Sequence, residues 1–393
     1  MMKTILIANV GSTSYKYTVF GISSDGSCKE LVRGGAERVE DYESAISASL
    51  SELELKGFAK SSIDAVAFKT VLGKNLSGLR EADAAVLKAL EDMSYVAPAH
   101  NPPYAAAIRA FGAVLPSARK IVLFETSFYQ WADAAWKRYA VPEEWDAIGI
   151  RRNGFHGASH KFAAERVAEL CGAEDAAESA RMLYADNGPK KLAKPFRMVN
   201  CHLGGSSSVC GILNGAAIGS SMGFSPQSGL PQNNRVGDLD SMAIPFAMET
   251  LGISAESALK DLSKKGGLLG ISGVSNDMRE ILAAADLGNE KAKLAIDVLA
   301  YSARSYIGSF MAQMGGLDAI SFSGGIAENN PRLRAAILEP FKGFGLELDE
   351  EKNNSLRKKD GVFSSEKSKI KAAAVVANEE IVIAREAARL LEK

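Results

Sequence analysis

The chain has 393 residues, 46 basic and 47 acidic, for a formal net charge of −1, with 47% hydrophobic and 24% charged residues. That balance excludes a disordered or fibrous chain and offers no global attraction to nucleic acid or to an anionic membrane. The length predicts two domains, each large enough to bury its own core, and no apolar run approaches the roughly 20 residues that span a bilayer. The first predicted strand is Thr4-Ile-Leu-Ile-Ala-Asn9, an apolar run suited to a sheet interior. It breaks at Gly11-Ser-Thr-Ser14 and resumes through Tyr15–Phe20. No small-residue cleavage site precedes that break, so no signal peptide is read and a cytoplasmic location is expected. Residues 172–192 are polar and predict an exposed excursion. Next come a strand over Phe196–Cys201, a break over His202–Ser208 and a return strand over Val209–Leu213. A long helix is predicted over 290–314, with Leu294, Val298, Tyr301, Ile307, Phe310 and Met314 as core positions. A strand over Leu317–Phe322 leads through a glycine pair to a helix beginning near Arg332. The last segment, 378–391, reads as a helix with an asparagine cap and acids in its first turn.

The two interrupted hairpins share one grammar, an apolar strand, a glycine and hydroxyl tip, and a return strand. Small residues at such tips let backbone N–H groups converge, and convergent N–H groups with hydroxyls bind phosphate. Two copies, one in each half, predict a duplicated fold with two phosphate loops facing a cleft. No G-x-x-x-x-G-K-[ST] and no clean G-x-G-x-x-G is present, which disfavours those two nucleotide folds. The four histidines, His100, His156, His160 and His202, all fall in Gly-, Pro- or Ser-rich stretches and predict a polar site. The i, i+4 spacing of His156 and His160 is not read as a zinc helix, because Gly157 interrupts it and the intervening Glu is missing. Cys28, Cys171, Cys201 and Cys210 are too few and too irregular for a disulfide framework or zinc ribbon, and are expected as buried small residues.

These residues resemble the acetate kinase family from end to end. The matching segments are Asn9-Val-Gly-Ser-Thr-Ser-Tyr-Lys16, His100–Pro103, Gly154-Phe-His-Gly-Ala-Ser-His-Lys161 and Ser221–Pro226. Arg235-Val-Gly-Asp238, Gly267–Gly270, Ser275–Arg279, the Gly-Gly-Ile-Ala-Glu-Asn loop and Asn378-Glu-Glu380 follow in family order. The resemblance implies an α/β fold of two ribonuclease H-like (actin/hexokinase/Hsp70-like) domains with a nucleotide cleft between them. It implies an N-terminal domain over 1–148, joined by a returning helix over 381–393, and a nucleotide-binding domain over 149–380. It implies ATP or ADP as co-substrate, Mg²⁺ or Mn²⁺, a carboxylate acceptor and a homodimer, with no nucleic acid or membrane partner.

Residue by residue, the resemblance assigns Asn9 and Glu379 to the metal, directly or through water, and Ser12, Ser14 and Lys16 to phosphate in the first loop. His202, Gly204 and Gly205 would form the second phosphate loop. Asp277, Met278, Arg279, Gly325, Ile326 and Asn329 would hold the nucleoside. His156 would donate to the moving phosphoryl group and Arg235 would grip it or the acceptor carboxylate. Val71, Phe155 and Pro226 would line a small acyl pocket. Several departures fall at the acceptor site. Lys69 stands for the arginine that binds the acceptor and Glu125 for the catalytic aspartate, so those two roles are expected of them; Gly205-Ser206 stands for Asn-Gly and Gln232-Asn-Asn234 for Met-Gly-Thr. Three readings remain open: an acetate or propionate kinase; a kinase for a more polar acid, read by Lys69, Lys74, Asn233 and Asn234; and a nucleotide-binding relative that transfers nothing.

Overall fold

A computed structural model describes residues 2–11, 13–23, 26–98 and 100–392. The chain divides into two compact units. Unit 1 comprises Met1–Gln130, Tyr184–Asn187 and Asn378–Lys393, and unit 2 comprises Trp131–Leu183 and Gly188–Ala377.

The sheet of unit 1 contains β1 (Lys3–Val10), β2 (Ser14–Ile22), β3 (Cys28–Glu37), β4 (Ala65–Thr70), β5 (Leu79–Glu81) and β6 (Arg119–Phe124), in the order β3-β2-β1-β4-β6-β5. Strands β1, β2 and β3 form an antiparallel meander, β4 and β6 run parallel to β1, and β5 closes the edge antiparallel to β6. Ile5, Leu6, Ile7 and Ala8 are all buried, because central β1 is covered on both faces. One cover is the helix Glu379–Leu391, which packs on β1, β2 and β4. Asn378 caps it, accepting from the Ile381 N–H at 3.3 Å, with Glu379 and Glu380 in the first turn as predicted.

Unit 2 repeats the plan with β7 (Arg197–Leu203), β8 (Ser207–Leu213), β9 (Ala216–Ser220), β10 (Ala319–Ser323), β11 (Gly361–Val362) and β12 (Lys371–Ala374). Its order, β9-β8-β7-β10-β12-β11, carries the same sequence of parallel and antiparallel pairings as unit 1. The shared grammar of the two hairpins is therefore a shared sheet topology. The helix Gly157–Leu170 packs on β7, β9 and β10, and the helix Glu290–Met314 packs on β7 and β8. Gly211 of β8 makes the second contact possible. A Cβ there would sit 2.6 Å from the Phe310 ring.

Four expectations are corrected. Residues 172–192 are not simply an exposed excursion: Glu174–Met182 is a helix that buries Ala176, Ala177, Ser179 and Ala180 against the helix Gly157–Leu170. Its apolar face is made of alanines, which a polar composition hides. The break at the second hairpin shrinks to 204–206, since His202 and Leu203 belong to β7 and Ser207 and Ser208 to β8. In the helix Glu290–Met314, Ile307, Phe310 and Met314 are core as predicted, but Leu294 and Tyr301 are 54% and 70% exposed. Ala292, Ala295, Ala300 and Ala303 hold the buried face instead, allowing the helix a close approach. All four cysteines are free, yet only Cys201 and Cys210 are buried; Cys28 and Cys171 are half-buried.

Phe310→Ala should cost about 3–5 kcal/mol in urea unfolding, by cavity formation over Gly211. Leu294→Ala, on the exposed face, should stay within about 0.5 kcal/mol. Equal losses would reverse the assignment of faces.

Candidate active site

In unit 2 three of the histidines come together. His156 precedes the helix Gly157–Leu170 in a left-handed conformation, φ 58° and ψ 30°, which is uncommon for a non-glycine residue. Its ring lies 4.4 Å from that of His202, and Ser159 Oγ holds His202 Nδ1 at 2.8 Å. The sequence placed all four histidines in connections; here His160 is inside the helix, fully buried, and His202 is in β7. His160 spans two partners: Asn200 Nδ2 donates to its Nδ1 at 2.9 Å, and its Nε2 meets Ser208 Oγ at 2.8 Å. Ser208 Oγ in turn meets His156 Nδ1 at 2.8 Å. With the Asn200 amide oriented so that its oxygen accepts from Ser321 Oγ at 2.8 Å, its Nδ2 donates to His160 Nδ1 and the tautomer of neutral His160 is fixed. His160 carries its proton on Nε2 and donates it to Ser208 Oγ, and the same hydroxyl is the hydrogen-bond partner of His156 Nδ1. Burial, with neighbouring His202 as a lesser cause, holds His160 well below the ordinary histidine pKa and keeps it neutral.

Arg235 lies beside the hairpin tip. Its Nη1 donates to Ser206 Oγ and to Gln232 Oε1, each at 3.2 Å, and both partners are uncharged. Burial lowers its pKa, and among the described residues no carboxylate pairs with it. The guanidinium thus keeps its positive field, as a receptor for an anion requires.

A cavity of about 700 Å³ opens next to that tip. It is lined by Gly204 and Gly205 on one side, Asp277, Met278 and Arg279 on another, and Gly325, Ile326 and Asn329 on a third. Eight of the residues expected to bind nucleotide therefore share one wall system. Asp277 caps the helix Met278–Asp286 and takes the Arg279 guanidinium at 2.5–3.1 Å. Those hydrogen bonds hold its carboxyl down at about 2. Gly325 and Asn329 bound the five-residue helix Gly325–Asn329, where the sequence predicted only a glycine loop before Arg332.

In unit 1 the Lys69 ammonium is bound by two carboxylates, Glu125 at 3.1 Å and Glu379 in a shorter contact. Burial opposes its charge, but the two acids outweigh that and hold Lys69 well above the ordinary lysine pKa. Burial also pushes nearby Tyr104 up to about 12. Lys69 leaves β4, Glu125 follows β6 and Glu379 opens its helix, so the sheet and one covering helix build the cluster. Two oxygen donors, the Asn9 amide and the Glu379 carboxylate, suit Mg²⁺, which keeps most of its water and relies on substrate phosphates. Among the described residues no group of three or more His, Cys, Asp or Glu could hold a metal.

The remaining expected residues are placed as follows. Asn9 is exposed at the end of β1, opposite Lys16 across the hairpin. Ser14 opens β2, and the Lys16 ammonium pairs with Glu37 at 3.2 Å on the surface. Ser12 lies outside the described residues. Val71 and Phe155 are buried and Pro226 is half-buried. Sequence reasoning gave no role to Asn200 and Ser208, and treated Gln232 and Ser206 only as departures. A lone polar residue in an apolar strand, as in Val199-Asn200-Cys201, was the signal available for the first.

Residues 35–385 match the Acetokinase family. The acetate kinase of Shouchella clausii (strain KSM-K16) is 36% identical over 379 residues, covering 95% of this chain and 90% of that protein. The crystal structure of Porphyromonas gingivalis acetate kinase superposes with a TM-score of 0.83 at 30% identity, covering 99% of this chain and 100% of that one. A propionate kinase from Francisella tularensis subsp. tularensis SCHU S4 gives 0.82 at 28% identity, with 98% of each chain covered. The fold is thus the actin/hexokinase-like one, and the protein is a phosphotransferase of the carboxylate kinase class. Within that class the chain belongs to the acetokinase family.

Because His160 stays neutral in the folded protein while an unfolded histidine titrates near 6.5, only the unfolded state takes up that proton as the pH falls below about 6.5. Stability should therefore fall on acidification, by up to about 1.4 kcal/mol per pH unit from this group. In urea titrations between pH 7 and 5, His160→Gln should flatten that slope by about one proton. An unchanged slope would mean that His160 is not the buried neutral group.

Proposed function

We propose that this enzyme transfers the γ-phosphoryl group of ATP reversibly to a short-chain carboxylate, giving ADP and an acyl phosphate by direct in-line displacement. The observation that carries this reading is the cavity of about 700 Å³ whose hairpin tip adjoins an arginine paired only with uncharged groups. The nucleoside lies between the segments Asp277–Arg279 and Gly325–Asn329, with phosphates toward His202, Gly204 and Gly205, and Ser12, Ser14 and Lys16 keep the phosphate role that the family resemblance gives them. A carboxylate oxygen of the acceptor attacks the γ-phosphorus while the bond to the β–γ bridging oxygen breaks and ADP leaves. The acceptor, with a pKa of roughly 4, is already ionised and needs no general base. Arg235 binds the acceptor carboxylate or the moving phosphoryl group, and His156 donates a ring N–H as a hydrogen bond to the phosphoryl oxygens. Val71, Phe155 and Pro226 supply apolar walls. Asn9 and Glu379 would hold Mg²⁺ or Mn²⁺ through water, and the ion would neutralise phosphate charge. Positioning and charge neutralisation then account for most of the catalysis.

Lys69 and Glu125 decide between acceptors. An ammonium has three donors, and Glu125 and Glu379 take two; the third suits an acceptor oxygen, though as a point charge and not as a fork. A more polar acid is the second reading, favoured by this change from a planar to a point contact. Asn233, one of the residues of that second reading, lines the cavity of about 700 Å³. The proposed enzyme is a cytoplasmic homodimer. No helix among the described residues is long and apolar enough to cross a membrane. A second copy would cover the helix Ala243–Leu251, which buries none of its residues and leaves Phe246 71% and Leu251 68% exposed.

Hydroxylamine trapping of acyl phosphate, with ATP and Mg²⁺ over acetate, propionate, butyrate, glycolate and lactate, tests the reaction. Acetate or propionate should lead the panel. Arg235→Ala should lower kcat by about 10²–10³-fold and leave the ADP Kd within about threefold. Lys69→Arg should raise acetate turnover. Wild-type transfer in Arg235→Ala would remove that residue from the site, and no product with any acid would leave a nucleotide-binding protein.

Sedimentation should show a dimer that Phe246→Lys dissociates. A monomeric wild type would refute the assembly.

A further inference from the structure

Gln232 is 1% exposed and is not among the residues that the family resemblance assigns to the site. Every polar atom of its amide is nevertheless used. Oε1 accepts from Ser206 Oγ at 2.9 Å and from Arg235 Nη1 at 3.2 Å, while Nε2 donates to the Pro226 carbonyl at 2.7 Å. Its main chain is fixed equally well: its N–H reaches the Arg235 carbonyl at 3.0 Å and its carbonyl receives the Leu268 N–H at 2.8 Å. Gly267 permits that seat, because at φ 60° a Cβ would lie 2.0 Å from the Gln232 carbonyl oxygen. One side chain thus joins the hairpin tip, the guanidinium and the wall segment at Pro226.

The chemistry of the joint matters as much as its position. A carboxylate at 232 could accept the same two hydrogen bonds, but it would cancel much of the charge that Arg235 needs for an anion. An apolar side chain would leave the charge intact and lose the geometry. An amide alone, among side chains of this length, gives orientation without neutralisation. Ser206 and Gln232 are also two of the positions at which the sequence departs from its family, and they touch each other.

We propose that Gln232 is a positioning residue that fixes Arg235 against the Gly204–Ser206 tip and the Pro226 wall while leaving the guanidinium charge unneutralised. This rests on the reading of Arg235 as the anion-binding group of the site. Restraint at 232 lets phosphate seated at the tip and acceptor seated at the wall meet an arginine already in place, a preorganisation that saves reordering at the moment of transfer.

The test uses the full-length enzyme with ATP, Mg²⁺ and acetate, and compares Gln232→Glu with Gln232→Met. Gln232→Glu keeps the acceptor atom, adds charge and gives up the donor to the Pro226 carbonyl, so the acetate KM should rise at least tenfold. Gln232→Met keeps the charge and loses the bracket, so kcat should fall about tenfold with acetate KM changed less than threefold. Ser206→Ala combined with Gln232→Met should be less than additive. Turnover is not the only readout. Exchange of the Arg235 guanidinium N–H protons with water, assigned by NMR from their loss in Arg235→Lys, should quicken at least tenfold in Gln232→Met. Unchanged exchange, or the same KM and kcat pattern in both variants, would overturn the proposal. Wild-type kcat in Arg235→Ala would instead overturn the reading of Arg235, whatever the exchange rates at 232 show.

Discussion

A nucleotide triphosphate and a carboxylate repel each other, so any protein that joins them must hold positive charge where neighbouring acids do not consume it. Arg235, the proposed anion-binding group, has only neutral partners, a serine hydroxyl and a glutamine oxygen. Two unit charges at 4 Å interact by about 4 kcal/mol at an effective dielectric of 20, so one carboxylate contact there would absorb most of the field. The Lys69 cluster is the opposite case. One ammonium between Glu125 and Glu379 leaves a net formal charge of −1, and the lysine is pinned in the charged state by its own partners. A cluster of that sign attracts a hydrated cation, and Arg235 attracts an anion. The two charge arrangements sit on different units and are built from different sheets.

Much of this was legible in the sequence, and the exceptions have specific causes. The two glycine-tipped hairpins could be aligned by eye because a buried strand, a small-residue tip and a return strand are each spelled by local residue choice. Residues expected to bind nucleotide are scattered from Gly204 to Asn329 in the chain but line one cavity; family order, and not spacing, brought them together. The helix Glu174–Met182 was hidden because alanine carries a buried face with almost no hydrophobic signal. The same blindness placed Leu294 and Tyr301 in the core, when small residues let that helix lie close to β8. The ties from Asn200 to His160 and from Gln232 to Ser206 join residues 40 and 26 positions apart. No periodicity reports such contacts, since each depends on how strands and helices are brought side by side.

The duplication explains why chemistry is divided between the units as it is. Strand pairing aligns Val10 with Leu203 at the last paired position before each tip, which sets Asn9 against His202 and Ile7 against Asn200. Lys16 and Ser208 then correspond on the return strands. Leu6, Ala8 and Val10 face one hydrophobic core, as Val199, Cys201 and Leu203 do in the other copy, so Asn9 and His202 lie on the opposite face of each sheet. The helix Glu379–Leu391 packs on β1 in one copy and the helix Gly157–Leu170 on β7 in the other. Each brings a proposed site residue at its start: Glu379 in the first turn, His156 at the cap. The difference lies one step deeper. Ile7 continues the apolar packing in unit 1, whereas Asn200 at the matching position in unit 2 is fully buried and must be hydrogen-bonded. His160 and two serines satisfy it, and through Ser208 that satisfaction reaches His156. A polar residue placed in a central strand thus reaches, through His160 and Ser208, the histidine proposed for the site, while the copy that keeps isoleucine presents the proposed carboxylate instead.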